Sequence, residues 1–141
     1  MKIMRNSLIV GAFQMVTLAT LASSPANAQP TRIIAVWNDC PHPIEFIIHH
    51  ADRPGYWHPH AWYRLNANQS LGRFSDNGVV LTQLVDHTLY IYAQSTDGSR
   101  IFWQGTGPRI TYDNAYYSTV AAPTFVNRLG ETIARLTCTS R

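Results

Sequence analysis

The chain has 141 residues, of which 45% are hydrophobic and 13% are charged, and its formal net charge is +3 at pH 7. This composition is typical of one globular domain and excludes a disordered, collagen-like or polytopic membrane protein. Lys2 and Arg5 hold two of the eleven basic charges, so the rest of the chain is nearly neutral. Its nine remaining basic residues are all arginines in no cluster, and we expect no nucleic-acid partner.

The N-terminal segment has the features of a secretory signal peptide. The two basic residues precede an apolar run from Leu8 to Ala22, and a small-residue cleavage pattern ends at Ala28. A membrane-spanning helix needs about 20 predominantly apolar residues, and this run is shorter and interrupted by polar side chains. We predict a cleaved signal peptide over residues 1–28 and one periplasmic or secreted domain over residues 29–141, with no membrane span in the mature chain.

The cysteine count predicts one disulfide bond. Cys40 and Cys138 are the only cysteines and lie near the two ends of the mature domain. Export to an oxidising compartment favours their pairing, which would close a loop of 98 residues. The alternative, a reactive thiol or a metal-ligand pair, lacks the Cys-x-x-Cys spacing typical of such sites.

The mature chain has the pattern of an all-β protein. Short runs rich in Ile, Val, Tyr, Trp and Thr alternate with Gly, Pro, Asn and Asp, and no long helical periodicity is present. We predict a small antiparallel β-sandwich of about seven or eight short strands, with the disulfide joining the first and last strands. The candidate strands are Arg32–Asn38, Ile44–His50, Ala61–Leu65, Val79–Leu84, Thr88–Ser95, Ser99–Gln104, Tyr116–Ala121 and Glu131–Thr139.

Two dipeptides predict tight turns. Asp97-Gly98 separates two aromatic-rich strands and favours the positive φ angles of a hairpin turn. Asn77-Gly78, directly before a Val-Val pair, is a second turn of the same type.

Histidines are concentrated in residues 49–63, which contain four of the six in the chain. We interpret residues 56–63 as an exposed aromatic and histidine-rich loop. In an extended segment His58 and His60 project to the same face, and His49 or His50 could face them across a hairpin. Three imidazoles would suit Zn²⁺ or Cu²⁺. The alternative is that these are solvent-exposed loop histidines with no ligand.

Aromatic side chains of the same segment, together with Trp103 further along the chain, suit a stacking surface. Trp57, Trp62, Tyr63 and Trp103 are candidate ligand-binding residues, because flat apolar rings complement the faces of sugars. The alternative is that each ring fills the core of the domain, since tryptophan buries a large apolar area.

No catalytic motif is present, so we predict that the protein is not an enzyme. The chain lacks a Gly-x-Ser-x-Gly nucleophile elbow, and alternation places one of its two glutamates, Glu45, on a solvent-facing position. We therefore predict a binding protein with a carbohydrate or protein partner in the cell envelope and no cofactor. The alternatives are a protein that binds zinc or copper and a hydrolase with an unrecognised site.

Five short motifs occur along the chain: Asn38-Asp39-Cys40, Gly55-Tyr56-Trp57, Ala61-Trp62-Tyr63-Arg64-Leu65, Leu89-Tyr90-Ile91-Tyr92-Ala93 and Trp103-Gln104-Gly105. Together they resemble a family of small secreted bacterial proteins catalogued as domain of unknown function ten thirty-six. The resemblance implies a small secreted β domain over about Ile33 to Cys138 and supplies no reaction, cofactor or catalytic residue. The chain departs from the family pattern at Ala61, where members have glycine, and at Ser70, where many have a cysteine.

Overall fold

The computed structural model describes residues 28–138, so the predicted signal peptide lies outside the described residues except for Ala28. The described part of the chain is all-β, as predicted. No helix in it is long and apolar enough to cross a membrane. Its strands are β1 (Thr31–Asp39), β2 (Ile44–Arg53), β3 (Tyr56–Leu65), β4 (Gly72–Arg73), β5 (Ser75–Asp76), β6 (Val79–Val80), β7 (Thr82–Leu84), β8 (Tyr90–Ser95), β9 (Phe102–Trp103), β10 (Arg109–Tyr112), β11 (Ala115–Ser118), β12 (Val120–Ala121), β13 (Thr124–Val126) and β14 (Thr132–Thr137).

The strands form two main sheets and two separate hairpins. The first sheet has the order β13-β14-β1-β4, with β7 also paired to β1. The second has the order β12-β8-β2-β3, with β9 also paired to β8. The pairings between described strands are antiparallel except for β1 and β14, which run parallel over six residue pairs from Ile34–Thr132 to Asp39–Thr137. The parallel pair places the ends of the first and last strands side by side.

The main core fills the space between the two sheets. Phe46 and Ile48 of β2 and Ile91 of β8 are completely buried there, against Val36 of β1 and Leu136 of β14. Apolar side chains on the inner faces of both sheets therefore hold the layers together, as in other β-sandwiches.

A second, smaller core covers the outer face of the second sheet. The β10–β11 hairpin lies against this face, where Ile47, Tyr92 and Ile110 are buried and Trp62 and Tyr117 pack beside them. Strand β2 is consequently buried on both faces, which explains its nearly continuous apolar run.

The predicted disulfide is confirmed. Cys40 follows β1 and Cys138 follows β14, and their Cα atoms are 5.1 Å apart. Arg135 forms an ion pair with Asp39 beside the bridge. The buried side chain of Asn38 donates hydrogen bonds to the backbone oxygens of two nearby turns and so fixes the chain around the bridge.

The Asn77-Gly78 turn is confirmed, and the predicted hairpin at Asp97-Gly98 is present, but its strands are joined by a longer loop in which Asp97 does not have a positive φ. Asn77 and Gly78 have φ angles of 47° and 79°, as a type I′ hairpin turn requires, and connect β5 to β6. Gly98, with a φ of 83°, lies in the loop between β8 and β9, whose pairing joins Ala93 to Trp103.

Other boundaries differ from the prediction. The expected strand Val79–Leu84 is divided at Leu81, whose backbone bonds instead to Phe74 and Ile34 and directs its side chain into the core. The short strands β4, β5, β10 and β13 were not predicted. A signal for β10 existed in Asp113-Asn114, since both residues have positive φ and turn the chain into β11.

Candidate functional site

The interpretation of residues 56–63 as a loop is wrong, because they lie in strand β3. This strand pairs with β2 along almost its whole length, which places His50 opposite His58 and Ile48 opposite His60. Backbone pairing satisfies the hydrogen-bonding groups of the segment and fixes the direction of every side chain on it. A site built here is therefore held by a paired sheet.

A bulge in this pairing decides which side chains of β3 face inward. The register shifts opposite the stretch from Phe46 to Ile48, so the alternation of β3 reverses after residue 60. His58 and His60 face the space between the sheets, and after the bulge Tyr63 faces it as well. Trp62 points to the outer face, against Tyr92.

The histidine cluster consists of His50, His58 and His60. Their ring centroids are 5.1 Å apart for His50 and His60, and 6.0 Å apart for each of the other two pairs. The cluster lies at the end of the inter-sheet core, beside a cavity of about 340 Å³. The other side chains that border this cavity include Asp52 at the end of β2 and Asp76, Val79 and Val80 of the β5–β6 hairpin.

Hydrogen bonding fixes the protonation of His50. Its Nδ1 lies 2.6 Å from the backbone oxygen of Thr82, and a carbonyl oxygen only accepts, so Nδ1 carries the hydrogen. The Nε2 atom of the neutral ring therefore holds a free lone pair. It is buried and has no hydrogen-bond partner within residues 28–138. Burial lowers the pKa of His50 to about 4, so this ring is neutral at pH 7.

The other two rings each have a carboxylate neighbour. Nε2 of His58 is buried and lies 3.4 Å from an oxygen of Asp52, but it makes no hydrogen bond to any group in the described part of the chain. Nδ1 of His60 lies 3.5 Å from an oxygen of Asp76. Burial lowers the pKa of His60 despite this carboxylate.

The spacing of the rings is close to what one metal ion requires. In the described residues no group of three or more His, Cys, Asp and Glu side chains is already arranged to hold a metal ion. Three imidazoles that bind a tetrahedral ion through one nitrogen each, at about 2.1 Å, have ring centroids about 5.2 Å apart. The separation of 5.1 Å matches this value, and those of 6.0 Å exceed it by about 0.8 Å. The ring separations therefore approach the geometry of a bound ion without reaching it.

The fourth candidate histidine, His49, is on the opposite face of the sheet. Its ring lies 5.2 Å from that of Trp57 and 6.4 Å from that of Tyr90, and the ring of His87 lies 6.0 Å from that of Trp57. Trp57 is 38% exposed. The hairpin thus presents two different surfaces, with the histidine cluster on one and an aromatic group around Trp57 on the other.

The structure does not bring the four candidate aromatic residues together. Trp62 packs edge-on against Tyr117 beneath the β10–β11 hairpin. Tyr63 packs in the main core. Trp103 donates a hydrogen bond from its indole nitrogen to the backbone of Thr137 at the far edge of the sandwich. Tyr63 and Trp103 both pack against the main core, whereas Trp62 packs in the smaller core and Trp57 lies beside His49 and Tyr90, so the four rings form no common stacking surface.

Three groups at the site were missed by the sequence analysis: Asp52, Asp76 and Thr82. Asp52 had a signal, because it lies two residues after His50 and period-two alternation puts it on the same face. The other two come from β5 and β7, and their proximity depends on how the two sheets pack.

Comparison with known proteins identifies no relative of this chain. No protein-family model, curated protein or solved structure matches this chain. The fold defines the protein as a disulfide-linked, sandwich-like all-β domain. The resemblance to the domain of unknown function ten thirty-six stays a prediction.

Proposed function

We propose that the protein binds one divalent transition-metal ion, Zn²⁺ or Cu²⁺, through the imidazoles of His50, His58 and His60. The observation that carries the proposal is the convergence of three rings in which Nε2 of His50 and Nε2 of His58 are buried without a hydrogen-bond partner among the described residues. Neutral imidazole nitrogen is a preferred donor for both ions.

Metal binding gives a physical reason for these unpaired atoms. A buried polar atom without a partner costs about 1–3 kcal/mol, and native proteins tolerate few of them. A bound cation would use the free lone pairs. It would also account for the grouping of three rings that, if protonated, repel one another.

The surrounding hydrogen bonds support the same proposal. Histidines that bind metals usually donate their second ring nitrogen to a carbonyl or carboxylate, which fixes the tautomer and the ring orientation. His50 donates Nδ1–H to Thr82, and Nδ1 of His60 faces Asp76. In both rings this leaves Nε2 as the nitrogen available to an ion.

The disulfide indicates an oxidising, extracytoplasmic location. We propose, on the strength of the N-terminal sequence, that the protein reaches it through a cleaved signal peptide. In such a compartment the ions to be expected are Zn²⁺ and Cu²⁺. The histidine cluster contains no thiolate or thioether, the ligands that would select Cu⁺.

The test is metal content and thermal stability of protein made without a histidine tag and washed with chelator. We expect one equivalent of zinc or copper after loading and desalting. Metal at about 100 times its dissociation constant stabilises by about 2.7 kcal/mol, which raises the melting temperature on the order of 10 °C.

Variants separate the histidine cluster from adventitious binding. The double substitution His58→Ala/His60→Ala should abolish both the bound metal and the rise in melting temperature. His42→Ala is the matched control, because His42 pairs with Asp97 outside the cluster and its loss should leave metal binding unchanged. Equal metal content in the double variant and the control would refute the proposal.

The predicted carbohydrate or protein partner remains a second candidate function, favoured by the exposure of Trp57 beside Tyr90. The same thermal assay with oligosaccharides and cell-wall fragments tests it. A rise that is lost in Trp57→Ala, while that variant stays folded, would support this function. If no sugar raises the melting temperature, the carbohydrate partner is ruled out.

A further inference from the structure

We infer that Asp52 supplies the fourth ligand of the ion, so that the metal is held by three imidazole nitrogens and one carboxylate oxygen. The inference rests on the proposed function. It goes further by naming the donor set and by predicting that the coordination sphere is closed.

Asp52 is close to the point that the three rings share. Its Oδ1 lies 3.4 Å from Nε2 of His58, the nitrogen that lacks a hydrogen-bond partner in the described chain. The same carboxylate interacts electrostatically with both His50 and His60. Asp52 therefore lies beside His58, and its negative charge also reaches the other two rings.

Asp76 occupies a different place. Its Oδ2 lies 3.5 Å from Nδ1 of His60, on the side of the ring away from Nε2. When His60 binds an ion through Nε2, Nδ1 carries a hydrogen that Asp76 can accept. Asp76 is thus a positioning residue, whereas Asp52 faces a nitrogen that would itself bind the ion.

The present partners of Asp52 do not prevent this role. Besides His58, Arg53 is a neighbour of this carboxylate, and its Nε lies 3.9 Å from Oδ1. Both side chains of that ion pair are well exposed, and exposed pairs of this kind contribute little free energy. Arg53 also stacks on the ring of Tyr56 at 3.9 Å, so it keeps a partner when Asp52 turns to an ion.

A set of three nitrogens and one oxygen completes the tetrahedron that Zn²⁺ and Co²⁺ prefer. Three imidazoles alone would leave one position to an exchangeable water, which is the arrangement of catalytic zinc sites. With Asp52 bound, no position is free for an added anion. The inference therefore predicts a site that holds its ion and does not exchange a ligand.

Cobalt substitution tests this directly, because four-coordinate Co²⁺ gives intense visible absorption bands that shift when a ligand changes. We expect the Co²⁺-loaded protein to show these bands and to be unaffected by azide. Asp52→Ala should open one position, so that its spectrum shifts on addition of azide, and should weaken Co²⁺ binding by about 100-fold or more. Asp52→Asn provides a second variant of nearly the same size.

The control is Asp76→Ala, which should bind Co²⁺ about 10 to 100-fold more weakly yet remain insensitive to azide. Two results would overturn the role of Asp52 and leave the three-histidine site standing. The first is a shift of the Co²⁺ bands with azide in the unsubstituted protein. The second is an Asp52→Ala protein whose Co²⁺ spectrum is the same as that of the unsubstituted protein. Failure of the unmodified protein to bind Co²⁺, Zn²⁺ or Cu²⁺ would overturn both proposals.

Discussion

Removal of the disulfide is the perturbation whose size follows most directly from the structure. The bridge between Cys40 and Cys138 closes a segment of 98 residues. In the chain-entropy description, opening a loop of this length costs about 4.7 kcal/mol at 25 °C, because the unfolded chain regains the freedom that the bridge removed. Domains of this size are commonly stable by only about 5–15 kcal/mol.

The native fold should nevertheless survive the substitution Cys40→Ser/Cys138→Ser. Strands β1 and β14 remain paired over six residue pairs, and the ion pair between Asp39 and Arg135 lies beside the former bridge. The loss should therefore appear as lower stability of the same fold.

Urea denaturation followed by tryptophan fluorescence measures this loss. With a urea dependence of about 1–2 kcal/mol per molar, this loss should lower the urea midpoint by about 2–5 M. The unsubstituted protein reduced with a thiol reagent is the matched control and should show a similar midpoint. A loss below about 1 kcal/mol in both would refute the argument from loop entropy.

Three further predictions concern the stability of the fold. Arg73 pairs with the buried Glu131 and holds the pKa of that carboxyl below its ordinary value of 4.5, so this pair stabilises the fold above about pH 4.5 and the contribution is lost as the pH falls through the lower, native pKa. The urea midpoint should fall between about pH 6 and about pH 3, and this fall should be smaller in Glu131→Gln than in the unsubstituted protein. A fall of the same size in both proteins would contradict this reasoning. Trp62→Ala should cost about 2–4 kcal/mol in urea denaturation, because the ring packs in the smaller core, and a cost under about 1 kcal/mol would show that it is not packed there. Gly107→Ala should cost about 1–3 kcal/mol in the same assay, because an added Cβ would lie 2.7 Å from the backbone oxygen of Thr119, and an unchanged midpoint would contradict the close approach.

Much of the fold was predictable because its signals are local. The all-β class follows from period-two alternation and turn residues, and the Asn77-Gly78 turn follows from the positive φ that these two residues accept. The disulfide followed from a count of two cysteines. The parallel pairing of β1 with β14 had no such signal, because it joins segments about a hundred residues apart.

The candidate site was predictable in part for the same reason. Alternation placed His58 and His60 on one face, and a hairpin partner was expected from the preceding strand. Sequence alone did not decide between His49 and His50, because a shift of one residue in register exchanges the two faces of a strand. The pairing of β2 with β3 places His50 in the histidine cluster and His49 beside Trp57.

By itself the sequence determined the all-β class, the Asn77-Gly78 turn and the cysteine pair, since each depends on neighbouring residues or on simple counts. Only the tertiary structure decided the direction of Trp62, because the bulge in β3 is created by its pairing with β2. It also decided that Thr82 and Asp76 meet the histidines, because they arrive from strands whose positions are set by packing of the two sheets. The histidine cluster is thus encoded locally in β3 and completed by contacts that exist only after the sandwich has formed.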